Sequence, residues 1–589
     1  TDLFVSFGGL RLSNTDVTYG GQGPHHTQDW MRKAKRNGTQ FLNVGPLRDD
    51  LDSGIDPRWQ PIRPGTDVAL MFGLIHTLIS ADLIDRSFVD TYVHGWDRFA
   101  DYVIGEADGV PKSAWWASEI TGIEHHAIEE LANEMSSRRT LINVGLSVQR
   151  ADHGEQSYWA AAALACALGQ IGLPGGGFAF PFGTQGNVGA GQVRKRVPGM
   201  PIPPRPKSSQ VISVSRFREL LDKPGEQYDF NGATGQFPDI KLVWWAGGNP
   251  FHHHQDLNKL VKAWQKPETI IVNEIWWNAQ ARHADIVFPA NTALERNDIM
   301  LNPRDPTIIA NHKMLENIGT SKSDYEIFSA LSNKLGFYKK YTRGLSEKEW
   351  LKLLWDKAII EAKKHNINLP VFNSFWRKGY FELPPLKNEK IMFDDFRLNP
   401  LKNKLNTPSG KIEITSKNIK KFQLKDCGPY PSWFEPYEWL GNKKKFTLHL
   451  ISNQPQFKLH GQLDNAKLSK KNKIKKKEPI IINPSDAKKR KLNNNDLVEV
   501  YNKRGRMLAG VKISNKVMEG VVVVSTGSWF SPHKKENLEM HGNPNVLTGD
   551  IPTSSLSQAP TAHTTLVEVK KMSKKYKNLK SLLYDFSHL

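Results

Sequence analysis

Through its first ~145 residues the chain repeats one local pattern, a short apolar run, a glycine turn and an amphipathic helix. TDLFVSFGG (1–9) and FLNVGPLRDD (41–50) read as strands running into turns, with DWMRKAKRNG (29–38) between them as a helix closed by Gly38. DVALMFGLIHTLISADLI (67–84) and EHHAIEELANEMSS (124–137) carry helical periodicity, and RTLINVGLSVQR (139–150) supplies another strand and turn. Strand–turn–helix repeats build a parallel sheet with helices on both faces. Such a sheet also dictates where a ligand goes, because binding sites form beyond the carboxyl ends of its strands.

The pattern continues less regularly. SYWAAAALACALGQIG (157–172) reads as a buried helix ending at LPGGG (173–177), followed by a Gly-, Pro- and Arg-rich loop (183–207). DIKLVWWAGGNP (239–250), TIIVNEIWW (269–277) and ADIVFPA (284–290) resume the sheet pattern. Residues 340–435 are Lys-rich and without clear period. FTLHLIS (446–452), EPIIINP (478–484), DLVEVYNKRGRMLAGVKIS (496–514) and GVVVVSTGSW (520–529) are β-rich and joined by tight turns, which predicts a barrel. NKRGR (502–506) predicts a hairpin with a bulge or type I′ turn at Gly505. The 589 residues exceed one core, and ~150 residues per domain gives about four units. The expected organisation is α/β, with two parallel-sheet domains (1–145 and 146–435), a C-terminal β-barrel (440–570) and a tail (571–589).

Composition excludes several classes of function. Two cysteines, Cys166 and Cys427, are too few to ligate an iron–sulfur cluster. No apolar run approaches ~18 residues, so no membrane span is expected. The net charge of +20 lies mostly after Lys339, in stretches such as 467–479 without interleaved aromatics. Such runs read as solvated faces, and no nucleic-acid partner is expected. His25–His26 and the run His252–His254 have adjacent rather than i,i+4 spacing, so zinc is not expected there. Phosphate-loop, well-placed dinucleotide-fingerprint and nucleophile-elbow motifs are absent.

What remains are the strand tips. Gly247, Gly248 and Asn249 close one strand, and Ser147 and Arg150 follow another. Glu274, at the end of IIVNE, suits ribose hydroxyls or a guanine edge. Gly65, Thr66 and Asp67 stand at a helix entrance, where Asp67 can pair with a guanine ring or Thr66 can simply cap the helix.

LGQIGLPGGGF (168–178), WWAGGNPFHHHQDLNK (244–259), ARHADIVFPANTALERND (281–298) and HGNPNVLTGDIPTSSLSQ (541–558) occur in this order, with HGEQ (153–156), SGKIEI (409–414) and PSWFEPYEWLG (431–441). Together they resemble the dimethyl sulfoxide reductase family of molybdopterin oxidoreductases, in its trimethylamine-N-oxide and biotin sulfoxide reductase branch. The resemblance implies a bis(molybdopterin guanine dinucleotide) molybdenum cofactor and oxygen-atom transfer from an S-oxide or N-oxide. It implies that Gly65, Thr66 and Asp67 contact one guanosine, and that Ser147 and Arg150 line the cofactor, Arg150 near the substrate funnel. Asn249, His253, Glu274, Arg296 and Asp324 would serve the other dinucleotide, and Ser452, Gln454, His460, Asn545 and His563 would close over the pterins. It further implies a c-type cytochrome or small redox protein as electron donor, and a periplasmic or else cytoplasmic setting.

The chain departs from the family at Leu146, where a tryptophan is usual, at Gly45 for Asp and at Gly461 for Ser. It opens at Thr1 inside a strand-like run, so an upstream lobe carrying the molybdenum-ligating serine is expected to be missing. No protein metal ligand is therefore assigned. The alternative reading is a non-catalytic or incomplete cofactor-binding fragment.

Overall fold

The computed structural model describes residues 1–15, 26–179, 210–301, 306–384, 391–576 and 579. His25, the basic loop 183–207 and most of the tail beyond 576 lie outside the described residues. The first sheet is parallel, with strands β1 (Leu3–Phe7), β2 (Gln40–Val44), β3 (Arg58–Gln60), β4 (Thr140–Val144) and β5 (Gly177–Ala179) in the order β3-β2-β1-β4-β5. Helix α1 (Thr27–Arg36) ends where Gly38 takes up a φ of 96°. Helix α2 (Asp67–Ser80) buries ten of its residues, because it is apolar all round and is enclosed by α3 (Ala114–Thr121), α4 (His125–Ser137) and α5 (Glu155–Ala167).

This sheet runs on past residue 145. Strand β5 pairs with β4, and α5 packs on α2, so the first domain reaches at least to Ala179. The second parallel sheet is short, with β6 (Leu242–Ala246), β7 (Thr269–Glu274) and β8 (Ile286–Pro289) in the order β8-β7-β6. Beyond β6 lie the one-turn helix α6 (Pro250–His253) and α7 (Leu257–Trp264).

The barrel strands are β9 (Leu448–Ile451), β10 (Pro479–Ile482), β11 (Leu497–Tyr501), β12 (Arg506–Ile513), β13 (Val521–Val524) and β14 (Leu566–Lys571). They pair in the order β10-β13-β9-β14-β11-β12, and β12 returns to β10, which closes the ring. Closure removes the sheet edges. Alternation then sends side chains two ways. Val522 and Val524 join an interior cluster that continues into Phe251, Leu260 and Trp264 of the second α/β unit. Val521 and Val523 face outward and pack with Leu47 from the loop after β2. The barrel is thus wedged between both sheets, and backbone bonds Arg48 N–H to Lys516 O and Met518 N–H to Pro46 O strap it to the first.

The hairpin at 502–505 forms as expected, with Tyr501 opposite Arg506. Gly505 is there for another reason than a left-handed turn, since it is absent from the residues with positive φ. A Cβ at that position would run into the carbonyl oxygen of Val546.

Candidate cofactor-binding site

The tips of the first sheet, the start of α2 and the barrel meet in one cavity. Its walls include Gly8, Gly45, Gly65, Asp67, Ser147 and His563, and Trp433 and Phe434 close one side. The backbones come close at the tips: a Cβ on Gly145 would lie 2.8 Å from Gly8 O, and Ser147 Oγ donates to the same oxygen at 2.9 Å. Only glycine permits that approach, which leaves room beside the tips for another molecule.

Asp67 lines this cavity at the first position of α2, and burial pushes its carboxyl up to about 6. Thr66 does not reach the cavity. It stands at the N-cap position without capping, and its hydroxyl instead donates 2.7 Å back to Arg63 O. The capping role open for Thr66 in the sequence is therefore replaced by an internal turn bond.

A second convergence adjoins the first and is dominated by Arg150. Its guanidinium has no carboxylate partner among the described residues, and burial lowers its proton affinity. Four imidazoles stand around it. Burial first, then positive charge including that of Arg150, holds His252 and His460 below the ordinary imidazole value, His253 at about 4 and His563 at about 3. Ring centroids of His460 lie 5.4 Å from those of both His252 and His253. The His563 N–H donates to Arg150 O at 2.8 Å, and His449 Nε2 bonds the His563 carbonyl at 2.6 Å, so the barrel holds this corner in register.

Several buried polar atoms of the histidine turn and the barrel loops have no hydrogen-bond partner among the described residues. They are Nδ1 of His252, His460 and His563, and the hydroxyls of Ser452 and Thr526. An unpaired buried polar group costs roughly 1–3 kcal/mol, and the three imidazole nitrogens among these stand around the Arg150 guanidinium, which suits a polar, anionic occupant. Gln454 follows Ser452 on the same loop, half-buried.

Asn249 and Asn545 act one step back. Asn249 Oδ1 accepts from Phe251 N–H at 3.0 Å, capping the turn that presents the histidines. Asn545 donates to His252 O at 2.7 Å and accepts from Thr548, so its amide oxygen is already engaged. At the tip of β7, Glu274 accepts from Ile275 N–H and Asn278 Nδ2, and burial raises its carboxyl. Asn273 beside it donates 2.8 Å to Asp324 and accepts from Trp244 Nε1, which gathers Glu274 and Asp324 at one sheet edge. Arg296 sits one loop over, bonded to Asn291 O at 3.1 Å. Thr526 is missed by reading the sequence, and only its lack of a partner among the described residues singles it out. The departures also sit here, with Gly45 lining the cavity and Gly461 so placed that a Cβ on it would lie 3.6 Å from His252.

A family model described as "Molybdopterin oxidoreductase" matches residues 21–334, and one described as "Molydopterin dinucleotide binding domain" matches residues 448–566. The chain belongs to the molybdopterin oxidoreductase family. Among its relatives, the "Biotin sulfoxide reductase" of Cereibacter sphaeroides is 40% identical over 571 residues, covering 97% of this chain and 76% of the relative. The "Dimethyl sulfoxide/trimethylamine N-oxide reductase" of Rhodobacter capsulatus is 39% identical, covering 93% and 68%. The "Trimethylamine-N-oxide reductase" of Haemophilus influenzae is 36% identical, covering 92% and 68%. The solved acetylene hydratase of Pelobacter acetylenicus superposes with a TM-score of 0.67 over 97% of this chain and 78% of its own, at 15% identity, and so shares the fold. The residues present fit the molybdopterin dinucleotide of this oxidoreductase family, since a cationic, donor-rich crevice between glycine tips and a barrel suits pyrophosphates and pterins.

The pH dependence of Asp67 is a direct consequence of its setting. Its carboxyl is raised from 3.8 to about 6, so the cofactor-free fold takes up a proton more readily than the unfolded chain. Below pH ~4 both states are protonated and nothing is lost. Between pH ~4 and ~6 stability falls, and above that the buried carboxylate costs about 3 kcal/mol. Asp67→Asn is expected to flatten this slope and stabilise the cofactor-free chain at pH 7, as read by urea unfolding across pH, while weakening retention of guanine nucleotide.

Proposed function

We propose that this chain grips a bis(molybdopterin guanine dinucleotide) molybdenum cofactor for the reduction of S-oxides or N-oxides, the substrate class in its relatives' names. The observation that carries the reading is Arg150, without a carboxylate partner among the described residues and surrounded by four imidazoles held in their neutral form by burial and its charge.

When bound, the molybdenum centre supplies two-electron oxygen-atom transfer. The chain's own residues hold and orient. Gly8, Gly145 and Ser147 let the dinucleotide lie against the strand tips, and Asp67 accepts from one guanine edge. Glu274 and Asp324 receive the other nucleoside, with Asn249 and Arg296 shaping the turns around it. Arg150, His253, His460 and His563 donate to pyrophosphate and pterin oxygens, and Ser452 and Gln454 cover them from the barrel. Asn545 holds His252 in place. Trp433 and Phe434 keep water from one wall. A c-type cytochrome or small redox protein as donor, and the periplasm as setting, belong to the same reading and rest on the resemblance alone. No helix among the described residues is long and apolar enough to cross a membrane.

The test is the chain purified from cells that make the cofactor. Acid hydrolysis is expected to release two guanosine monophosphates per molybdenum, and the loaded protein to oxidise reduced viologen when trimethylamine N-oxide, dimethyl sulfoxide or biotin sulfoxide is added. A preparation from such cells without molybdenum and guanine nucleotide overturns the reading.

A further inference from the structure

At the start of α4, away from the crevice residues, His125, His126 and Glu129 bring three ligand atoms within 4.8 Å of one another, and this is the one such group among the described residues. His126 Nδ1 is 3.6 Å from Glu129 Oε2, and His125 Nδ1 is 3.9 Å from Glu129 Oε1. Both distances are too long for a hydrogen bond. Two ligands of one tetrahedral zinc, each ~2.0–2.1 Å from the ion, stand about 3.3 Å apart. The two His–Glu distances are within a few tenths of an ångström of that spacing, and the whole group, held within 4.8 Å, closes by small side-chain rotations.

One arm is already set. His125 stacks on Trp115 of α3 with ring centroids 3.5 Å apart and lies 3.7 Å from the ring of His126. Its side chain is 12% exposed, and Nδ1 is buried without any partner. A buried imidazole nitrogen aimed at a carboxylate it does not touch lacks the third body that would satisfy both. The other arms, His126 and Glu129, reach the surface at 76% and 42% exposure, so an ion has an open path and coordination positions left for water.

We propose that His125, His126 and Glu129 form a divalent transition-metal site, with Zn²⁺ as occupant, separate from the molybdenum cofactor. Two imidazoles and one carboxylate suit Zn²⁺ better than Mg²⁺ or Ca²⁺, which take oxygen ligands. The helix N-terminus works against a cation, and Glu129 offsets this with its charge. The balance points to an exchangeable site with one ion per chain. Arg63 donates its backbone N–H to Thr121 O and its side chain to Ile120 O at 3.1 Å, tying α3 to the turn that presents Gly65. The stack of His125 on Trp115 joins the start of α4 to α3, so an ion that fixes the His125 ring bears on that same corner.

The test is equilibrium dialysis of the full chain against Zn²⁺ with metal analysis, alongside thermal melts, for the parent, H126A and E129A. The parent is expected to hold one zinc per chain beyond its molybdenum and to melt at higher temperature with zinc present. Both variants, which change exposed side chains, are expected to lose zinc affinity at least about tenfold and lose the thermal shift, while molybdenum content and viologen-linked activity stay at the parent level. A parent that binds no zinc, or zinc retained equally by H126A and E129A, overturns the site. Because molybdenum and activity are read separately, that failure is distinguishable from failure of the reductase reading.

Discussion

Replacing Arg150 with methionine is expected to stabilise the cofactor-free chain while stripping it of molybdenum. The two effects have opposite signs because one charge serves two states. In the empty fold the guanidinium is half-buried with no carboxylate opposite it among the described residues, and that burial lowers its proton affinity. It also adds to the cost of protonating His252, His253, His460 and His563. Exchanging such a charge for an apolar side chain of similar length is worth about 1–3 kcal/mol to the empty chain. In the loaded protein the same guanidinium meets an anion, where charge-assisted bonds contribute about 1.5–3 kcal/mol each, so its loss is expected to cut retained molybdenum at least about tenfold. Urea unfolding of the empty chain and metal analysis of the loaded one check the two halves. A methionine variant that is less stable when empty would mean that Arg150 has an internal partner and the crevice is not built around an anion. Arg150→Lys keeps the charge but loses the planar fork, and is expected to recover the destabilisation without full retention.

The strand tips were legible in the sequence because the physics behind them is local. A glycine after an apolar run announces a turn, and Gly8, Gly45 and Gly65 all line the cavity, as that pattern suggests. The barrel was legible for the same reason, since period-two alternation needs no knowledge of distant partners. The end of the first domain was not. Strand β5 has three residues, Gly177–Ala179, and starts on a glycine, so it carries no apolar period and is recruited only by its pairing with β4. Individual roles were harder still. Thr66 reads as a cap or a ligand contact, and the cap is ruled out only by the carbonyl of Arg63, which takes its hydroxyl. The convergence on Arg150 joins His252, His460 and His563, segments far apart in the chain, and no spacing rule links them. Long strings shared with the family carried that part of the reading, which is why the cofactor was reachable from sequence while the partnerless state of Arg150 was not.

Gly505→Ala is expected to loosen the cofactor crevice from outside it. Gly505 lies in the turn between β11 and β12, where Asn502 N–H donates to Gly505 O at 3.1 Å. Its backbone is free of any left-handed requirement, so alanine brings no torsional strain. The obstacle is purely steric. The new Cβ would meet Val546 O and lie 2.8 Å from Asn258 Nδ2, and a backbone carbonyl cannot swing aside as a side chain can. The hairpin and the 544–546 turn must therefore part, at an overpacking cost of about 1–3 kcal/mol. That turn carries Asn545, whose amide holds His252 O, and Asn258 beside it donates to Arg504 O at 3.0 Å. Displacing it slackens the α6 turn on which His252 and His253 are mounted. The expected result is a lowered urea midpoint together with faster loss of molybdenum from the loaded protein. Gly38→Ala is the matched control: its φ of 96° strains an alanine, yet a Cβ there meets nothing within 4 Å, so stability falls by about 1 kcal/mol and molybdenum is retained. If both variants lose stability equally and neither sheds molybdenum, the hairpin does not buttress the crevice and the histidine turn is held by other contacts.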